Sequence, residues 1–205
     1  MPLRLTQEDF MTPEQVRRLK AHLRKEAELS RRRGVKSPVR DWAILHVALD
    51  AGLRASEITA LRVGDLILEP GAAAIIVRHG KGGKERGVQI GGALREHLQE
   101  YLEWKRAVGE SLGQDDPLFL SPRGGPLTRQ AIYLMFKRHA KRAGLPPRFS
   151  IHSCRHTYAS MLYRASHYNL RLVQRQLGHA SIRTTQVYAD VLSQDTLEAV
   201  EGLPQ

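Results

Sequence analysis

Ser150-Ile-His-Ser-Cys-Arg-His156, then Leu177-Gly-His179 and Thr184-Thr-Gln-Val-Tyr188, form the stretch on which the reading of this chain turns. His152 and Arg155 are three apart, so on a helix they project from one face, a turn apart. Thr157 to Ala165 continues that helix, with Tyr158, Met161 and Leu162 as its apolar stripe. Leu172, Val173 and Leu177 mark a short second helix stopped by Gly178, a favoured C-cap, and His179 follows at once. Ser181-Ile-Arg-Thr184 reads as a new helix start, with Tyr188 about two turns into it. The spacing predicts that cationic groups, imidazoles and a phenol converge from three adjacent helices on a pocket suited to a phosphate. A lone His or Tyr in such a segment is usually a packing residue. The ordered combination is what points to chemistry.

Outward from that stretch, composition sets the bounds. At 205 residues the length allows one large domain or one and a half small ones, and 41% hydrophobic residues are enough for a packed core. No apolar run approaches the ~18 residues that span a bilayer. Met1-Pro-Leu-Arg4 leads into charged residues rather than an apolar signal segment. One cysteine, Cys154, excludes an internal disulfide framework, suits a reducing cytoplasm and reads as a small buried hydrophobe. The net charge of +11 points to nucleic acid or another anionic surface. Arginine supplies 24 of the 32 cationic side chains, and its planar fork matches phosphate oxygens. Composition alone leaves a ribosomal or membrane-surface protein open.

In chain order, Thr12-Pro13-Glu14-Gln15 reads as an N-cap, Pro at the first helical position and a capping-box Gln. The helix runs to about Arg33, with Val16, Leu19, Leu23 and Ala27 inward. Arg17, Arg18, Lys20, Arg24 and Lys25 form a basic face, either solvated or on a phosphate backbone. A second helix from Val39 to Ala51 is apolar on most sides and should be central. Gly52 ends it, and Ala55 to Leu61 is a further short helix. Arg54 at that junction needs an anionic partner, of which Glu57 is the obvious internal one. Leu66 to Leu68, Ala73 to Val77 and Arg86 to Ile90 read as short strands, the last two joined by Gly80-Lys-Gly-Gly-Lys84. That tip carries Lys81 and Lys84 but lacks the spacing of a phosphate-cradling P-loop. Ala93 to Ala107 is an amphipathic helix. Thr128 caps a helix to Ala143 that bears a second basic stripe, Lys137, Arg138, Lys141 and Arg142. Ala189 to Val200 reads as a last short helix with Leu192, Leu197 and Val200 apolar. The fold class expected is mainly α with a small antiparallel β-sheet (α+β). Residues 1–205 form a single domain, with a lead-in at 1–11, a core at 12–188 and a tail at 189–205.

Gly52-Leu-Arg-Ala-Ser-Glu57, Gly80-Lys-Gly-Gly-Lys-Glu-Arg86, His152-Ser-Cys-Arg-His156, Leu177-Gly-His179 and Thr184-Thr-Gln-Val-Tyr188 occur in that order. Together they resemble the catalytic domain of tyrosine recombinases, the group of phage integrases, Xer-type resolvases and fimbrial invertases. The resemblance covers roughly residues 10 to 192. It implies that Tyr188 attacks a DNA phosphodiester to give a 3′-phosphotyrosyl bond and a free 5′-hydroxyl. Arg54 and Arg155 match the arginines that hold the non-bridging oxygens, and Lys81 the lysine that protonates the leaving oxygen. His152 matches the residue that helps take the tyrosine proton, and His179 the one that binds the phosphate in the transition state. Arg17, Arg18, Arg24, Lys84, Arg86, Lys137, Arg138 and Lys141 are the candidate DNA-backbone contacts. The implied partners are double-stranded DNA with a specific recombination site, a tetramer of the protein on two such sites, and an accessory DNA-bending or partner recombinase, with no membrane. The implied location is the cytoplasm, at the nucleoid.

The residue types make chemical sense on their own terms. A phenol with a pKa near ~10 attacks poorly unless its proton is taken and the developing charge is met. Two guanidiniums and an imidazole supply the stabilisation that metal ions provide elsewhere. No carboxylate cluster marks a Mg²⁺ site, and Arg155 between His152 and His156 disfavours zinc there, so no cofactor or metal is expected. A phosphotyrosine keeps the bond energy, so religation needs no ATP. An inactive DNA-binding regulator of the same fold and a type IB topoisomerase are the alternatives. The first predicts a lost site residue, and none is lost. The family usually has an N-terminal helical domain closing a clamp round DNA, whereas here about ten residues precede the first helix. Tyr163 to Asn169 also lacks the glycine the family often has at that turn.

Overall fold

The computed structural model describes residues 6–78, 85–179 and 181–191. Helix α1 (Pro13–Arg32) starts as its sequence predicts. The Thr12 hydroxyl accepts from the Gln15 backbone N–H at 3.2 Å, and the Gln15 side chain accepts from the Thr12 N–H at 2.8 Å. Its inward stripe of Val16, Leu19, Leu23 and Ala27 is buried against α2 (Lys36–Asp50). Helix α2 has Val39, Ala43, Ile44, Leu45, Val47 and Ala48 fully buried and packs on four helices, so it is the axis of the molecule. It begins at Lys36, three residues earlier than the apolar run. Pro38 falls in its first turn, where a backbone N–H has no helical partner to lose.

A short helix α3 (Ala55–Ala60) leads to three strands, β1 (Leu66–Ile67), β2 (Ala74–Val77) and β3 (Arg86–Gln89). They form one antiparallel sheet in the order β1-β2-β3, with Ile75 opposite Val88. Each is one residue shorter than the run read as a strand. Helices α4 (Gly92–Ala107) and α5 (Arg129–Arg142) follow, the latter capped by the Thr128 hydroxyl on the Ala131 N–H. Pro117 to Leu120 makes only isolated bridges, to Arg62 and Pro126, while Leu118 and Phe119 enter the core.

The last third forms α6 (Ile151–Ala165), α7 (Leu170–Leu177) and α8 (Arg183–Val191). These helices share a small apolar cluster of Ala159, Val173, Leu177 and Tyr188, separate from the main core. Ala189 to Val191 continue α8 rather than opening a new helix, and Leu192, Leu197 and Val200 lie outside the described residues, as do Lys81 and Lys84. The glycine-free turn after α6 is made by His167 and Tyr168 at φ of +51° and +63°. Bulky residues rarely adopt that left-handed conformation. Cys154 is fully buried, and burial pushes its thiol pKa up. Among the described residues no helix is long and apolar enough to cross a membrane.

Candidate active site

Arg155 is the buried centre of the site, 5% exposed on α6. Its guanidinium donates to the Gly52 carbonyl at 2.6 Å and to the Leu177 carbonyl at 2.9 Å. Those oxygens lie at the C-terminal ends of α2 and α7, where helix dipoles favour a cation. Gly52 is required there twice over. Its φ is +62°, and a Cβ would fall 2.3 Å from the Tyr158 ring. Burial, then the neighbouring Arg54 charge, bring the Arg155 pKa down to about 10, so it stays protonated at neutral pH.

Glu57 on α3 holds the other arginines. It accepts from the Arg54 backbone N–H at 2.8 Å and from the Arg54 guanidinium at 2.7 Å. Arg86 on β3 grips both its oxygens, at 3.0 and 3.1 Å, and Arg155 comes within 3.9 Å. Burial alone would raise the Glu57 carboxyl, but the hydrogen bonds from Arg86 and Arg54 outweigh it and hold it below the usual carboxylate range. The expected Arg54–Glu57 pair is therefore present, and Arg86 is the member that pattern reading assigned elsewhere. Arg86 lies across Gly178, where a Cβ would stand 2.5 Å from its side chain, and its Nε is buried without a hydrogen-bond partner among the described residues. The glycine of Leu177-Gly-His179 thus serves as an αL cap and as room for Arg86. Three guanidiniums face one carboxylate, so this cluster carries a net charge of +3 − 1 = +2. Such a pocket suits an anion and repels a metal ion.

The imidazoles and the phenol complete it. Tyr188 is 2% exposed, and its hydroxyl lies 3.1 Å from His156 Nδ1. The His179 ring stacks beside Tyr188 at a centroid distance of 6.4 Å, with its Nδ1 2.9 Å from the Thr185 hydroxyl. Burial raises the Tyr188 pKa, and Arg155 and Arg54 pull it partly back. Burial, followed by nearby positive charge, lowers His156 to about 4 and His179 to about 3, so both rings are neutral at pH 7. His156 is thus a neutral ring placed to accept a hydrogen bond from the Tyr188 hydroxyl. His152 is exposed, four residues before His156 on the same helix. Sequence reasoning gave His156 no role because the three-residue spacing drew attention to His152 and Arg155.

The site thus brings together Arg54, Arg155, His179 and Tyr188. The remaining basic candidates are distributed otherwise. Arg17 and Lys141 are exposed. Arg18 donates to the Gly144 carbonyl, Arg24 pairs with Glu28, Lys137 donates to the Pro147 carbonyl and Arg138 pairs with buried Asp41. A groove of about 630 Å³ between β3 and α7 is lined by Arg86, Arg171, Arg175 and Gln176. Arg171 and Arg175, four apart on the polar face of α7, were legible as a pair but not singled out.

The profile of the Phage integrase family matches residues 9–195. The tyrosine recombinase XerC of Herpetosiphon aurantiacus is 44% identical over 154 residues, 75% of this chain and 48% of that protein. The tyrosine recombinase XerD of Ralstonia nicotianae is 39% identical over 153 residues, 75% of this chain and 49% of that protein. The chain thus spans about half the length of these curated relatives. Among solved structures, the XerH site-specific recombinase in a post-cleavage complex with palindromic difH substrate superposes with a TM-score of 0.75 at 27% identity. That match covers 94% of this chain and 52% of XerH. The XerA recombinase superposes with a TM-score of 0.76 at 26% identity, covering 96% of this chain and 66% of XerA.

Proposed function

Because the chain belongs to the phage integrase family, we propose that its residues 12–188 are the catalytic domain of a site-specific recombinase acting on double-stranded DNA. The observation that carries this reading is a pocket of net charge +2 beside a buried tyrosine whose hydroxyl already meets a neutral imidazole. Arg54 and Arg155 hold the non-bridging oxygens of a phosphodiester, and His179 supports the charge as it grows. The Tyr188 oxygen bonds to phosphorus while its proton passes to an imidazole, a role that the 3.1 Å contact supports for His156 and the family resemblance implies for His152. The bond from phosphorus to the 5′-oxygen breaks, and Lys81 supplies the proton that oxygen needs. Rejoining reverses these transfers without ATP, since the phosphotyrosine keeps the bond energy. The relatives are recombinases, and XerH is bound to DNA in its complex, which supports DNA as the substrate class. The assembly is a tetramer on two DNA sites, with the tail beyond residue 188 docking on a neighbour, working in the cytoplasm.

Covalent trapping tests this. Protein is incubated with fragmented DNA from its source, denatured, and the protein-linked DNA recovered and sequenced, with Tyr188→Phe alongside. Adducts that share a repeat and vanish in Tyr188→Phe are expected. Adducts without any shared sequence favour a topoisomerase-like activity. Adducts that persist in the variant would overturn Tyr188 as the nucleophile.

A further inference from the structure

On α1 and α5, three potential metal ligands meet that take no part in the arginine pocket. His22 and Glu26 are four residues apart on α1, hence on one face, and His139 comes from α5. The ligand atoms of all three lie within 4.8 Å of one another. His22 Nε2 is 3.3 Å from His139 Nδ1, and Glu26 Oε2 is 4.0 Å from the same atom. Two imidazole nitrogens bound tetrahedrally to one zinc at ~2.0–2.1 Å stand about 3.3–3.4 Å apart, so the histidine pair already has that spacing. Glu26 needs only a small side-chain movement, and it is partly exposed.

The ligand His139 is oriented from behind. Its Nε2 lies 3.2 Å from the carboxylate of Asp41, which is fully buried. A carboxylate accepts only, so Nε2 carries the proton and Nδ1 presents its lone pair toward His22 and Glu26. This is the carboxylate–histidine arrangement that fixes ring and tautomer at metal centres. Asp41 is itself gripped by Arg40 and Arg138, so its position is firm. Arg142 opposes a cation there, donating to both oxygens of Glu26 at 3.1–3.2 Å. It is 54% exposed and can turn into solvent.

We propose that His22, Glu26 and His139 form a binding site for one borderline divalent metal ion, Zn²⁺ by preference, which ties α1 to α5 with water as the fourth ligand. The donor set of two imidazoles and one carboxylate suits Zn²⁺ or Co²⁺ over Mg²⁺ or Ca²⁺, which take oxygen ligands. Binding converts the His22 tautomer so that Nε2 offers a lone pair in place of its hydrogen bond to His139, and it displaces Arg142 from Glu26. The site is independent of the DNA chemistry, so its test does not depend on finding a DNA target.

The experiment uses the 205-residue chain, free of any affinity tag and stripped with chelator at pH 7.5. Co²⁺ is titrated in while the visible d–d bands are followed, Zn²⁺ is added in competition, and melting is measured with and without ZnCl₂. One saturable equivalent is expected, displaced by Zn²⁺, with a higher melting temperature when zinc is present. Glu26→Gln, a surface change that leaves the fold intact, and His22→Gln should each weaken binding by ~10-fold or more. Arg142→Ala should tighten it, because the competing cation is gone. The absence of a saturable equivalent overturns the proposal. So does binding that persists unchanged in both ligand variants, which would place the metal at other histidines. An Arg142→Ala protein that binds no tighter than the parent also counts against the site.

Discussion

At the scale of single residues, the fate of Glu57 decides how the pocket works. One carboxylate orders Arg54, Arg86 and Arg155, and only the first of these pairings could be read from a three-residue spacing. Arg86 is 29 residues away in sequence and arrives only because β3 pairs with β2. It therefore looked like one more surface cation. The geometry predicts that Arg86→Lys, which keeps the charge but loses the two-pronged grip, slows adduct formation at Tyr188. A loss on the order of 10²-fold is expected, the scale that follows ångström misplacement of reacting groups. DNA affinity and its salt dependence should stay as they are, measured by fluorescence anisotropy over a salt series. A residue that contacts a DNA phosphate directly would instead reduce the salt slope by about one. His156 makes a second case. It stands in the motif in plain view, yet nothing in a linear string says which of two imidazoles faces Tyr188. That depends on where α8 crosses α6. His156→Ala is expected to reduce adduct formation more than His152→Ala on the same substrate, and the reverse order would return the proton-accepting role to His152.

Among elements, the helices were legible where caps and apolar stripes agree, as in α1 with Thr12, Gln15 and its buried stripe. Element ends were less so. Strand lengths depend on partner residues, and the start of α2 turns on a proline that its first turn tolerates. The turn from α6 to α7 is the informative exception, because the absence of glycine was visible and its consequence was not. The chain keeps the turn and accepts left-handed His167 and Tyr168 instead. A non-glycine residue in that region costs ~1–2 kcal/mol, while a glycine costs ~0.5–1 kcal/mol in unfolded-state entropy. His167→Gly, at an exposed position, should therefore stabilise the protein by roughly 0.5–1 kcal/mol in urea unfolding. A destabilised variant would mean that the His167 side chain holds the turn. Gly52→Ala goes the other way, since it combines positive φ with a collision at Tyr158. It should cost roughly 2 kcal/mol or more and displace the carbonyl that seats Arg155.

For the whole molecule, the surplus of positive charge shapes stability as well as partners. Its sign was plain from composition, but which histidines stay neutral inside it was not. His97 lies against His46, with Nδ1 atoms 2.8 Å apart, both rings stacked on Trp42. Burial, and then neighbouring cations, lower His97 to about 3, as they lower His156 to about 4 and His179 to about 3. All three fall below the ordinary imidazole value of 6.5. Between those pH values the unfolded chain binds protons that the folded one refuses. Their stabilising contribution is therefore complete above about pH 6.5 and is lost progressively as pH falls toward 4 and 3. Each group can contribute up to about 1.4 kcal/mol per pH unit in that window, less where solvent screens it. Asp41, Asp50 and Glu57, whose carboxyls are held low by their partners, add to the loss only at more acid pH. Urea midpoints at pH 7.5, 6 and 5 should fall at both steps and more steeply per pH unit between the last two, with an unchanged m-value. Replacing His97 by Phe, which keeps a ring against Trp42, should remove one group's share of that decline. A midpoint that does not fall between pH 6 and 5 would show that these rings protonate in the fold without strain.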